Sequence, residues 1–271
     1  MPVTAGRLLE VGVAVTDLAR ASRDFAGLLR APVSAPIEGP DAFAMRFTMC
    51  RVGRADFEIM ASTRPDGLVA RFVERHGEGL HHIAFEIDDA EAAMRELTAL
   101  GVPVLGREPV RMANLIAFFV HPSCFGGILV EFVQNLHPWL DGVPRSSDDD
   151  PPGIDAQRII GVTAVVADIA AAAAAFAATI GAQPARAASC PWIDGPACHC
   201  RIGDIGLTLV GVTAGGRTGL RHVSIAVDDL DQSVARLARR GIAVRRHGDT
   251  SVYVEGRALY GMPLELVAPG E

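Results

Sequence analysis

Two adjacent imidazoles, His81 and His82, head the alternating stretch GLHHIAFEIDD, and His222 heads GLRHVSIAVDD in the same register farther along the chain. Neutral imidazole binds divalent metals well and titrates close to neutral pH, so a histidine fixed at the head of a strand can ligate an ion or move a proton. Strand periodicity separates the two neighbours. His82 shares a face with Ala84 and Glu86, whereas His81 turns to the other side as a packing or hydrogen-bonding residue. A second set, Cys190, Cys198, His199 and Cys200 in CPWIDGPACHC, has the residue types of a metal site but not the spacing of a zinc ribbon or finger. Cys198 and Cys200 alternate as strand residues do, and the expectation for them is structural. His121 in VHPSC is expected to order the turn before Pro122, with Gly126 and Gly127 bending the chain into the next strand.

The elements that carry these residues recur. Four times a short apolar strand is followed by an aspartate, a helix of roughly a dozen residues and further short strands. The copies open with EVGVAVTDLARASRDFAGLL, HIAFEIDDAEAAMRELTALG, GVTAVVADIAAAAAAFAATIG and HVSIAVDDLDQSVARLARRG. Asp17, Asp89, Asp168 and Asp229 stand where an N-cap is needed, and Gly101, Gly181 and Gly241 where three of the helices end. In the second helix Ala90, Ala93, Met94 and Leu97 fall at i, i+3, i+4 and i+7, which makes them its buried stripe. Between the second and third copies, HPWLDGVPRSSDDDPPG has no periodicity and the composition of a linker. The expected division is a domain over 1–136, a linker over 137–156 and a second domain over 157–271.

Composition removes several classes of function. The chain has 271 residues, 49% of them hydrophobic, enough for one large core or two ordinary ones. Its net charge is -7 and its arginines are scattered, which opposes nucleic-acid binding. All 25 basic residues are arginine, so Schiff-base, pyridoxal-phosphate and phosphate-loop lysine chemistry has no residue to use. No G-x-S-x-G elbow is present for an ordinary serine hydrolase. No apolar run approaches the roughly 20 residues of a membrane span, MPVTAGRLLE lacks the order of a signal peptide, and a cytoplasmic location is expected. Five cysteines without framework spacing are expected to be reduced.

A doubled strand-helix-three-strand unit with a histidine leading HHIAFEIDD resembles the vicinal oxygen chelate superfamily, which includes glyoxalase I, methylmalonyl-CoA epimerase, extradiol dioxygenases and antibiotic-binding resistance proteins. Over residues 8–134, GEGLHHIAFEIDD together with AFFVHPSCFGGILVEFV looks like the methylmalonyl-CoA epimerase branch, while 157–269 resembles the superfamily only generally. The fold implied is α+β, a tandem vicinal oxygen chelate fold of four βαβββ units forming two domains with curved mixed sheets. The resemblance also implies metal ligands on the first and last strands of paired units. Carried over position by position, these are Glu10 in LLEVGVAV, Glu58 in ADFEIMAS, His82 and Glu131 in ILVEFV. Glu10 departs from the family, which more often has histidine or glutamine there.

Side-chain alternation is consistent with that set. Glu10 travels with Gly12 and Ala14, and Glu58 with Asp56 and Met60, away from their bulky apolar neighbours. Glu58 follows Glu10 by 48 positions (58 − 10) and Glu131 follows His82 by 49 (131 − 82), one unit length each. The face with the ligands is expected to line an open concavity for a small-molecule substrate. One imidazole and up to three carboxylates suit a single divalent ion, Mn, Co, Ni, Fe, Zn or Mg, and not a thiolate zinc site. The equivalent positions in the second half are Gly161, Thr208, His222 and Glu265, so that half is expected to be a degenerate copy filling the place of a second subunit. The chain is then a monomer with pseudo-dimeric halves, or a homodimer.

The activity implied is a metal-dependent isomerase or epimerase that abstracts a proton beside a carbonyl, on a substrate such as a CoA thioester. Glu131 is the expected base, and Glu10 either a ligand or the opposing acid. REPVRMANLIAFFVHP lacks the glycine-rich stretch associated with the epimerase, which weighs against methylmalonyl-CoA itself while the expected activity stays methylmalonyl-CoA epimerase-like. The rivals are glyoxalase-type conversion of a thiol adduct, and a non-enzymatic protein that sequesters a metabolite or drug.

Overall fold

The structure is a computed structural model and describes residues 3–137, 153–183, 185–213 and 216–268. The first half runs β1 (Leu8–Ala14), α1 (Leu18–Leu29), β2 (Ile37–Glu38), β3 (Met45–Val52), β4 (Ala55–Ser62), α2 (Leu68–His76), β5 (Gly79–Glu86), α3 (Ala90–Ala99), β6 (Val104–Arg111), β7 (Leu115–Val120) and β8 (Leu129–Asn135). The second runs β9 (Ala156–Val166), α4 (Ile169–Ile180), β10 (Arg186–Ala188), β11 (Ala197–Ile202), β12 (Ile205–Gly211), β13 (Gly219–Val227), α5 (Leu230–Arg239), β14 (Val244–His247), β15 (Ser251–Val254) and β16 (Leu264–Val267).

The sheets repeat one another strand for strand. Their orders are β2-β3-β4-β1-β5-β8-β7-β6 and β10-β11-β12-β9-β13-β16-β15-β14. In each copy the chain leaves its first strand through a helix and returns so that the last strand lies beside the first. β5 pairs with β8, β9 with β12 and β13 with β16, all parallel, while β3–β4, β6–β7, β7–β8 and their equivalents are antiparallel hairpin partners. Four βαβββ units in two mixed eight-stranded sheets make the tandem vicinal oxygen chelate fold.

The helices start and stop where the sequence places them. The carboxylates of Asp17, Asp89, Asp168 and Asp229 accept from the backbone N–H of Arg20, Ala92, Ala171 and Gln232. Each satisfies a donor that the first helical turn leaves open. Gly181 closes α4 in the left-handed conformation at φ 70°, which a side chain would strain. The stripe Ala90, Ala93, Met94 and Leu97 is buried, and so is Phe25 on α1. α2, between the first and second copies, was not foreseen: Gly67 leads into it without a side-chain cap, so no start signal marks it.

The sheets follow the two sequence halves, but compact packing does not. Among the described residues, one compact unit takes those within 3–10, 82–137 and 161–221, the other those within 11–81, 153–160 and 222–268. In the first, the rings of Phe125 and Phe176 stack at 4.5 Å and Val3 N–H donates to the Thr179 carbonyl. In the second, Phe25 meets Phe57 edge-on at 5.6 Å and Tyr260 donates to Asp24 at 2.6 Å. There Asp155 also accepts from Arg30 and Arg236. Each core is therefore built from both halves of the chain. Residues 138–152 of the expected 137–156 linker lie outside the described residues. Among the described residues no helix is long and apolar enough to cross a membrane.

Candidate active site

β5 and β8 supply the central pair. In their parallel register His82 lies opposite Leu129, and Ala84 opposite Glu131, so His82 and Glu131 share a face and sit diagonally across the strand pair. Ile83, Phe85, Val130 and Phe132 take the other face and are fully buried. Ala84, directly beside Glu131, occupies almost no space, which lets the carboxylate lie over it towards the imidazole.

Nε2 of His82 is 3.2 Å from Oε2 of Glu131, with side-chain exposures of 2% and 11%. The contact is within ion-pair range, but Nε2 does not meet the carboxylate along a hydrogen-bond direction. Two ligands bound at about 2.1 Å to one first-row dication stand roughly 3 Å apart, so the pair has the separation of donors aimed at a common third atom. The ring edge of Phe119 closes on His82 with centroids 5.4 Å apart, at an interplanar angle of 85°. Phe119 is paired with Glu131 in the β7–β8 register and was not foreseen. A register for the third strand of the unit would have found it, because the residue opposite the last ligand must share that ligand's face.

The remaining expected donors are in place on their strands. Glu10 on β1 belongs to the same compact unit as His82 and Glu131, whereas Glu58 on β4 belongs to the other. Glu10 is 5% exposed and Glu58 7% exposed. Among the described residues no three His, Cys, Asp or Glu side chains are gathered closely enough to hold an ion. The donor types and the His82–Glu131 separation fit a divalent metal, and the fuller set is not assembled. The ligand face was expected to be open. Instead all four side chains are buried, with β1 covered along its whole length. Strands covered on both faces read as continuous apolar runs, and here the polar donors are embedded among them.

The second half carries the same motif in altered form. His222 and Glu265 take the places of His82 and Glu131, Tyr253 that of Phe119, and Ser224 that of Ala84. Nε2 of His222 is 3.8 Å from Oε2 of Glu265, and the hydroxyl of Ser224 donates to that same oxygen at 2.7 Å. Tyr253 meets His222 edge-on at 5.5 Å. Burial pushes the His222 imidazole down to about 4, against the opposing pull of the Glu265 carboxylate, so it is neutral at ordinary pH.

The other chemical candidates resolve as structure. His81 packs edge-on against Phe72 at 4.6 Å. His121 accepts from Ser123 N–H at the head of the 3-10 turn Pro122–Phe125, and Gly126 and Gly127 follow with positive φ. None of the five cysteines is in a disulfide, and Cys198 and Cys200 are the buried alternate residues of β11. Burial raises both thiols, Cys200 to about 11, the opposite of what a ligand or nucleophile needs.

A family model described as the Glyoxalase/Bleomycin resistance protein/Dioxygenase superfamily matches residues 10–119. An ethylmalonyl-CoA/methylmalonyl-CoA epimerase of Cereibacter sphaeroides is 33% identical over 132 residues, which cover 48% of this chain and 98% of that one. The mitochondrial methylmalonyl-CoA epimerase of Homo sapiens is 30% identical over 131 residues, 48% of this chain and 74% of that one. Among solved structures, a mutant 4-hydroxymandelate synthase from Streptomyces coelicolor superposes with a TM-score of 0.70 over 99% of this chain and 93% of that one, at 19% identity. That likeness concerns the tandem fold.

Proposed function

Because the chain belongs to the glyoxalase/bleomycin resistance protein/dioxygenase superfamily, we infer that it is an isomerase or epimerase that moves a proton on the carbon beside a carbonyl, with an acyl-CoA thioester as substrate. The observation that carries this reading is the buried His82–Glu131 pair, set in the half of the chain that aligns with the epimerases. His82 and Glu131 would hold a divalent ion. Such an ion, when bound, polarises the carbonyl oxygen and favours the enolate.

The chain's own residues then do the following. Glu131 Oε2 takes the proton from the carbon next to the thioester carbonyl, and the electron pair of the broken C–H bond moves onto the carbonyl oxygen. Return of a proton to the opposite face of that carbon inverts it, and Glu10 is the carboxylic acid assigned to that step. His82 Nε2 stands 3.2 Å from Glu131 Oε2, with the ring edge of Phe119 against the imidazole. Burial of both groups strengthens every charge interaction in the site. The absence of the epimerase's glycine-rich stretch from REPVRMANLIAFFVHP directs the substrate search to 2-substituted acyl-CoA thioesters as a class.

The test is exchange of the 2-hydrogen of such thioesters in deuterated water, followed by NMR, alongside elemental analysis of the purified protein. Exchange by the parent, its loss in Glu131→Gln and His82→Ala, and near-stoichiometric divalent metal lost in His82→Ala are expected. No exchange and no metal after reconstitution with manganese, cobalt, nickel, zinc or iron would overturn the reading. Ligand binding without turnover, unchanged by chelation, would then identify a sequestering protein.

A further inference from the structure

The rows of side chains that lead away from Glu131 and Glu265 differ in character. Paired residues on neighbouring strands point to the same face, so Glu131 on β8, Phe119 on β7 and Leu105 on β6 follow one another outward on the face that carries His82. The next row on that face is Val133, Ala117 and Val110. In the second sheet the row from Glu265 continues with Tyr253 and Arg245, and the next row is Val267, Ser251 and His247. One carboxylate leads onto an apolar strip, the other onto a phenol, a guanidinium, a hydroxyl and an imidazole.

An interruption of the edge strand keeps the first strip apolar. β14 pairs with β15 without a break, which sets His247 opposite Ser251. In β6 the register that places Leu105 opposite Phe119 would, if continued, place Arg107 opposite Ala117 and turn it to the face of the site. Instead residues 106–109 are looped out opposite the single residue Phe118, and Val110 takes that place. Gly106, at φ 86°, makes the first bend. The chain leaves the sheet where straight pairing would set a charge on the strip.

The strip also opens outward. His82 and Ala84, on the β5 side of Glu131, are buried, Phe119 and Val110 are half-buried, and Leu105 is 42% exposed. A carbon held against the Glu131 carboxylate therefore has room for its substituent towards β7 and β6 and none towards β5. From Glu131 to Leu105 is two strand spacings, roughly 10 Å, which is longer than a methyl or ethyl group. Beyond Glu131 the side chains of the strip offer no hydrogen bond, so the strip suits an alkyl chain and not an arm that bears amides.

We propose that this strip is the subsite for the substituent on the reacting carbon, and that the substrate carries there an uncharged alkyl chain long enough to pass Phe119 and reach Leu105. This rests on the proton-transfer reading of the His82–Glu131 site and specifies its substrate. The test uses 2-methylacyl thioesters of one thiol, lengthened from butanoyl through hexanoyl to octanoyl, with the methylmalonyl thioester as the short, charged reference. Each is followed on the full chain by 2-hydrogen exchange and by calorimetric binding. Affinity and kcat/KM are expected to rise with chain length, by up to about fourfold for each methylene laid on the strip, and the octanoyl compound to surpass the methylmalonyl one. Leu105→Arg should flatten that rise and weaken the octanoyl compound by about tenfold, the loss of one to two buried methylenes. Leu100→Arg, which changes an equally apolar and more exposed leucine at the end of α3, should keep the parent's slope. No rise with chain length, a slope indifferent to Leu105→Arg, or a slope lost equally in Leu100→Arg would each overturn the subsite. The two readings fail separately. Exchange that ignores chain length discards the strip and keeps the reaction, whereas binding that rises with chain length and depends on Leu105, without exchange of any thioester, discards the reaction and keeps the strip.

Discussion

Glu131 and Glu265 hold the same place in their sheets and meet different company. Ser224 donates a hydrogen bond to Oε2 of Glu265, the oxygen that faces His222, whereas the equivalent neighbour of Glu131 is Ala84, which has nothing to donate. A carboxylate tied down in this way is a poorer base and a poorer ligand, because the bond must be broken before the lone pair is used. Transplanting the hydroxyl should transplant the effect: Ala84→Ser is expected to slow 2-hydrogen exchange while leaving the thermal melt close to the parent's, and an unchanged rate would contradict the comparison. Glu131→Gln removes the base outright and should cost 10²- to 10⁴-fold in exchange rate, with the far-ultraviolet spectrum unaltered. His222 gives a pH prediction. Its folded value of about 4 lies below the ordinary 6.5, so the unfolded chain binds the proton more readily. The stabilising contribution is complete above 6.5 and drains away as pH falls through 4, amounting to about 3 kcal/mol over that window. Denaturant titrations at pH 7 and pH 4 should show the difference shrink in His222→Gln.

At the scale of the elements, the helix boundaries illustrate how sequence and structure correspond. Each capping aspartate could be read directly because an N-cap is a local device, complete within three residues, and Asp89→Ala is expected to lower the urea midpoint by the equivalent of about 1 kcal/mol. The alternation of His82 and Ala84 against Ile83 and Phe85 was legible for the same reason. What the chain does not announce is anything fixed by a partner strand. Phe119 against His82, Ser224 against Glu265 and the looped-out residues 106–109 all depend on register between segments distant in sequence. α2 escaped notice because Gly67 gives it no side-chain cap. The expected openness of the ligand face failed on tertiary grounds, since periodicity tells which residues share a face and not what covers it.

At the scale of the whole molecule, the two sequence halves own a sheet each but share their cores. Phe125 stacks on Phe176 in one compact unit, and Tyr260 bonds Asp24 in the other, so residues from both sides of the 137–156 segment complete each interior. Removing either half strips apolar surface such as Phe25, Phe125 and Phe176 of its cover. Residues 1–136 expressed alone are therefore expected to self-associate and bind a hydrophobic dye, and co-expression with 157–271 to restore a dye-silent complex. A monodisperse, dye-silent 1–136 monomer would contradict the shared cores.

The altered motif of the second sheet also sets a number that can be counted. With glycine at 161, threonine at 208 and the Glu265 oxygen held by Ser224, the second sheet repeats the scaffold and keeps only two of the four expected donors, His222 and Glu265. An enolate-mimicking inhibitor should therefore titrate to a sharp end point at a single equivalent per polypeptide, however many copies of the polypeptide associate.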